Sequence, residues 1–197
     1  MTDSDTYAHI LMTASALIAK QGFAETSMND IVRASGLSKG GVYWHFKSKD
    51  DIIQAIVNHI FEQQMMFLKK TLSAEGSAID RIKHLLQLVA TSVNDAETAV
   101  PSSIDIYALV LRNDNLLHNL RTYFEQYQQL LTQLITQGIE EGELATDNPK
   151  QIAMVFISTI EGILLLHDVM GEKAQTSTLI TQATDLLLNG LLIKDDK

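Results

Sequence analysis

The chain of 197 residues has no cysteine. A disulfide framework and a thiolate metal site are therefore both excluded, and a reducing compartment is compatible. It has two prolines and ten glycines, and 46% of its residues are apolar, which argues against disordered and collagen-like classes. Aromatic residues are 6%. The longest apolar runs, such as GILLL at 162–166, are too short to span a membrane, so no membrane partner is expected. The opening MTDSDTYAHILM starts acidic and lacks a basic stretch, so no signal peptide is expected and the location reads as cytoplasmic. No His-x-x-x-His or His-Glu-x-x-His pair, no nucleophile elbow and no glycine-rich phosphate loop after a strand can be found. We therefore expect no enzyme, no catalytic residue, no metal site and no cofactor.

What is present reads as helix throughout. Ile10, Ala14, Leu17 and Ile18 recur at helical spacing until Gly22. Four Ser-x-x-Asp capping boxes, at Ser27, Ser48, Ser77 and Ser102, each open an apolar periodic stretch. In such a box the serine accepts a helix N–H and the carboxylate reaches back. Asn148 before Pro149 reads as a cap with proline in first helical position; Gly142 and Gly171 read as stops. Helices are predicted at about 5–21, 28–35, 39–46, 49–72, 78–94, 103–111, 115–140, 149–170 and 176–193. No strand alternation or internal repeat is evident.

Charge is unevenly distributed. The net charge is −9, yet residues 1–70 are balanced at seven Lys/Arg and seven Asp/Glu, and Arg33 to Lys49 holds four cations and no acid. That stretch contains a helix, a turn at Gly36 and a second helix capped by Ser38. Val42 and Phe46 share one face and can pack inward, leaving Lys39, Gly40, Gly41, Tyr43, Trp44 and His45 to project elsewhere. A helix that starts with two glycines lets its backbone approach a partner closely. Its positive end favours phosphate, and Lys, Tyr and His can reach phosphates or base edges. Packing of Tyr43 and Trp44 into a small core is the competing reading.

The stretch TSMNDIVRASGLSKGGVYWHFKSKDDI, from Thr26 to Ile52, resembles the DNA-binding domain of the tetracycline-repressor (TetR) family of bacterial regulators. It has a Thr/Ser-capped helix, an ASGLSKG turn, a Tyr-x-x-Phe recognition helix and a lysine opening the next helix. The close resemblance covers roughly residues 8–60. It implies that Lys39, Gly41, Trp44 and His45 read bases, and that Ser27, Tyr43 and Lys49 grip phosphates, with Thr26 a weaker candidate. Gly41 departs from a position that often carries a small hydroxyl or methyl side chain. The implied fold is all-α. A three-helix helix-turn-helix domain (1–48) is joined by a long helix (49–72) to a helical ligand-binding and dimerisation domain (73–197). The implied function is a ligand-responsive regulator, ordinarily a repressor, that binds palindromic double-stranded operator DNA as a homodimer. A helical ligand-binding or scaffolding dimer without DNA binding is the alternative suggested by Gly41 and the net charge.

Residues 73–197 resemble the family only loosely. The helix predicted near 149–170 is apolar almost all round, and a helix of that kind is buried on all sides. Either it is the central helix of a monomer, or the helices at 149–193 face their own core and a second subunit. Polar and aromatic residues interrupt the apolar faces of the sensor helices, among them Arg112, Tyr123 and His167. Phe67, His84, Tyr107, Tyr127 and Glu161 are the candidates for contact with a small, largely apolar effector, because ligand pockets are mostly apolar with a few convergent polar groups.

Overall fold

The computed structural model describes residues 2–92, 103–170 and 173–192. They form helices joined by turns, with one isolated bridge between Leu144 and Leu192. In chain order the helices are α1 (Asp3–Gln21), α2 (Met28–Ser35), α3 (Lys39–His45), α4 (Lys49–Leu72), α5 (Ala78–Ser92), α6 (Ser103–Val110), α7 (Asp114–Glu140), α8 (Pro149–Met170) and α9 (Lys173–Asn189).

The caps explain why most of these boundaries coincide with the expected ones. Ser27 accepts the Asp30 amide while the Asp30 carboxylate takes the Ser27 amide at 3.0 Å. Ser48 and Asp51 close the same reciprocal pair, at 3.1 and 3.0 Å. Ser77 accepts the Asp80 amide at 3.1 Å. Asn148 accepts the Gln151 amide at 3.1 Å beside Pro149. A further complete box, Thr2 with Asp5, starts α1 earlier than apolar periodicity indicates. The expected Ser102–Asp105 box, the stop at Gly171 and the last residues predicted for α5 lie outside the described residues. Gly36 ends α2 at φ 66°, in the left-handed region that a side chain disfavours.

The chain divides into two compact units. The first holds residues 1–62 and 97–119, the second 63–96 and 120–197. The division falls inside α4, between Glu62 and Gln63, so this single helix contributes to both. In the first unit α1 packs on α2 and α2 on α3. Ile10, Ala14, Ile31, Val42, Phe46 and Ile52 are buried between them. This is the small core that fixes the helix-turn-helix. In the second unit α9 packs on both α5 and α8, around a core that includes Leu85, Leu131, Ile135, Phe156 and Ile180. Gly138 lets α7 approach closely there: a Cβ would stand 2.8 Å from a Leu144 methyl carbon and 3.0 Å from the Ala78 Cβ.

The surroundings of α8 correct the reading of a helix buried on all sides. Only Ala153, Phe156, Ile157 and Ile160 are buried, whereas Val155, Leu165, Leu166, Val169 and Met170 are exposed. A central monomer helix would not leave that face open. Among the described residues α8 is also the one helix that is long and apolar enough to cross a membrane by length and composition, at mean hydropathy 1.8. Short runs such as GILLL understate it, because a helix accumulates apolar length across the polar residues between runs.

Candidate functional site

The second helix of the helix-turn-helix, α3, is seven residues long, and its side chains divide into two sets. Val42 and Phe46 turn inward, buried as the four-residue spacing requires. Lys39, Gly40 and Trp44 are on the open side. Trp44 is 73% exposed, which removes the reading in which it packs in the small core. The Ser38 hydroxyl accepts the Gly41 amide at 3.0 Å, capping the helix. Neither Gly40 nor Gly41 has positive φ, so the backbone conformation does not demand glycine at either place. A Cβ on Gly41 would lie 3.2 Å from the Ser38 hydroxyl; one on Gly40 would lie 4.0 Å from it. The open side of α3 is thus bare backbone flanked by a cation and a large ring.

Tyr43 is half-buried, with the Lys39 ammonium 5.6 Å from its ring centroid. Lys47, which the sequence reading counted only as charge, closes the other end of α3. Its ammonium donates to the Tyr43 carbonyl at 2.7 Å and the Trp44 carbonyl at 3.3 Å, and lies 5.9 Å from the Trp44 ring centroid. A cation at a helix C-terminus satisfies free carbonyls and suits the negative end of the dipole.

His45 sits apart from the other α3 candidates. Its side chain is 9% exposed, 3.5 Å through Nε2 from an Asp3 carboxylate oxygen. Its ring stands edge-on to Tyr7, which in turn stacks on Phe46 at 5.0 Å. His45 therefore braces α3 against α1. No periodicity within residues 38–46 could reveal this, because the partners come from the first turns of α1.

Ser27 is exposed at the start of α2, its hydroxyl also donating to Asp30 at 2.5 Å. These bonds hold the Asp30 carboxyl below the usual carboxylate range, Ser27's side chain first and its backbone second, aided by Arg33. Thr26 is buried, donating to the Gly22 carbonyl at 2.8 Å. Lys49, the first residue of α4, donates to the Phe23 carbonyl at 3.0 Å and lies 4.1 Å from the centroid of the Phe23 ring. It thereby ties α4 to the turn between α1 and α2, with further N–H groups to spare. Ser27, Lys39, Tyr43, Trp44 and Lys49 thus all belong to the one compact unit built around α3.

The five effector candidates do not form one cluster. Tyr107 lies on α6 in the first unit; Phe67, His84, Tyr127 and Glu161 belong to the second. His84 and Phe67 are exposed. Tyr127 is buried, and burial followed by the nearby Glu161 carboxylate pushes its phenol up from its ordinary value. Tyr127 on α7 is thus within electrostatic reach of Glu161 on α8, with Tyr123 at 6.2 Å from Tyr127, ring to ring. His167 accepts from or donates to the buried Thr176 hydroxyl at 2.6 Å, linking α8 to α9. Three cavities among the described residues are lined by none of the five. No cluster of three or more metal-ligating side chains occurs among the described residues.

Comparison with known proteins places this geometry in a family. Residues 10–56 match the model for bacterial regulatory proteins of the tetR family, and residues 110–183 match the tetracyclin repressor-like C-terminal domain. The uncharacterized HTH-type transcriptional regulator YfiR of Bacillus subtilis is 27% identical over 194 residues, covering 96% of this chain and 93% of its own. The HTH-type transcriptional repressor KstR2 of Rhodococcus jostii is 25% identical, covering 92% and 89%. Among solved structures, SmeT, the repressor of the Stenotrophomonas maltophilia multidrug efflux pump SmeDEF, superimposes with TM-score 0.76 at 22% identity, over 96% of this chain and 91% of that one. The chain belongs to the TetR family of transcriptional regulators. It is a DNA-binding regulator whose helix-turn-helix is the unit built around α3.

Proposed function

We propose that the chain is a repressor that binds a palindromic operator as a homodimer and is released by a small, largely apolar effector. The open side of α3 is the observation that carries the DNA half of this reading. An exposed tryptophan, an exposed lysine and two glycines, in a stretch from Arg33 to Lys49 that holds no acid, suit entry into a major groove. Lys39, Gly41 and Trp44 are the base-facing set, with Ser27, Tyr43 and Lys49 on phosphates. The geometry favours a positioning role for His45. Fluorescence anisotropy with the DNA upstream of the chain's own gene tests the reading. Lys39→Ala should cut affinity for that DNA; identical affinity of wild type and variant at every salt concentration would refute it.

The homodimer is supported by the exposed apolar face of α8, which Leu179 and Leu186 of α9 extend. Exposed apolar residues on two neighbouring helices mark an interaction site, and a C₂ copy of the same face covers it symmetrically. Two recognition helices related by that axis would read half-sites of a palindrome.

For the effector, the pair Tyr127 and Glu161 supports a sensor between α7 and α8, with Phe67, His84 and Tyr107 as weaker members. SmeT has been solved with triclosan, a small apolar phenol, in a structure that superimposes with TM-score 0.77. Release would pass through α4, which runs unbroken from Lys49 to Leu72 without proline or glycine to hinge it. A tenfold loss of DNA affinity needs about 1.4 kcal/mol of coupling, and operator DNA must weaken the effector by the same factor.

A further inference from the structure

The turn between α1 and α2, the start of α4 and the corner between α6 and α7 line an open cleft of about 490 Å³. All three segments belong to the first compact unit; none of the five effector candidates is on the cavity wall, although Arg112, one of the polar interruptions of the sensor helices, is. The volume lies within the range of small-molecule sites. Its apolar walls are the buried Ile53 and Leu116 with Phe23, Ala24 and Leu109.

The polar groups of this cavity are unequally engaged. The Gln21 amide already donates to the Glu25 carbonyl at 3.2 Å and the Thr26 hydroxyl at 3.3 Å. The Asn113 side-chain Oδ1 takes the Leu116 amide at 3.1 Å, capping α7. Asp50 sits in the first turn of α4, where the positive helix end favours a carboxylate. Arg112, exposed at the rim, bonds the Leu109 carbonyl through its amide at 3.2 Å; neither its guanidinium nor the exposed Asp50 carboxylate makes a hydrogen bond or ion pair with any described residue.

We propose that this cavity is a second small-molecule site, distinct from the sensor residues, and that it takes a compact aromatic or aliphatic carboxylate. The apolar walls cover the body of such a ligand. Arg112 supplies the planar fork that fits a carboxylate with two parallel bonds. Asp50 on α4 and Arg112 on the α6–α7 corner place opposite charges on different walls, so the anionic end has one favourable direction. The occupant would rest on Phe23, whose carbonyl and ring hold Lys49, and so on the turn that leads to the Ser27 cap. A ligand here touches the DNA-binding unit without passing through α7 and α8.

Titration of the full chain with 1-naphthoate and its uncharged amide, followed by amide NMR shifts, tests the proposal. Naphthoate should shift the signals of residues 21–24 and 112–113, and the amide should bind about tenfold more weakly for want of the charge-assisted pair. Arg112→Gln should erase that preference, and Ala108→Trp, on the cavity wall, should block both compounds. Equal binding of acid and amide to the wild type, an acid preference that survives Arg112→Gln, or no binding at about 1 mM would each overturn it. The readout contains no DNA, so its failure leaves the operator reading intact.

Discussion

Trp44 and His45 are neighbours in sequence and opposites in surroundings. Trp44 meets solvent, while His45 faces Tyr7 and Asp3. Trp44→Ala should leave folding stability within about 0.5 kcal/mol, as exposed substitutions do, and relax operator preference by about 1–3 kcal/mol per lost base contact. His45→Ala should weaken operator and random DNA alike, because α3 loses its brace on α1. Competition binding against random DNA separates the two, and a loss confined to operator for His45→Ala would return that residue to the base-reading set. Gly40 gives a second contrast. Its ordinary φ and the 4.0 Å clearance make room for a methyl group. Gly40→Ala should raise the melting temperature, by up to about 1 kcal/mol of stability, and still weaken DNA binding. Undiminished DNA affinity would show that the backbone does not approach the groove at that residue.

Among elements, α2 illustrates a capping carboxylate as pH-dependent structure. The folded-state pKa of Asp30 is depressed by its Ser27 bonds. A depressed acid contributes stability above its unfolded pKa, about 4, and loses it as pH falls through the lower folded value. The melting temperature of Asp30→Asn should therefore trail wild type at neutral pH and converge with it in strong acid. A gap that persists unchanged at about pH 2 would contradict that assignment. The same caps account for how much of the fold is legible in the sequence. The bounds of α2, α4 and α8 follow from Ser27, Gly36, Ser48 and Asn148–Pro149, signals that lie within a few residues of the ends they set. The start of α1 at Asp3 was less legible, since Thr2 and Asp5 precede the apolar pattern. What could not be read were contacts distant in sequence. Lys49 on Phe23, His45 on Asp3 and the open face of α8 depend on which elements meet, and spacing within one helix is silent on that. The proposed sensor is legible only as a list of polar interruptions, of which Tyr127 and Glu161 lie within electrostatic reach of each other and Tyr107 lies in the other unit.

For the whole molecule, the proposed homodimer rests on the exposed apolar residues of α8 and α9. Leu186 is 75% exposed in the single chain, so a charge there costs the monomer fold little. Leu186→Glu should keep its helical circular dichroism, sediment as a monomer at micromolar concentration and lose operator affinity, since each half-site alone is a weak site. A variant that remains dimeric would move the interface off this face. Two copies of the α3 surface are proposed to read DNA together, and footprinting on the DNA upstream of the chain's own gene tests this most directly. Two protected half-sites of inverted sequence, centred about one helical turn or a multiple of it apart, are the predicted result. Protection of a single asymmetric site, or none at concentrations where the chain is dimeric, would contradict it.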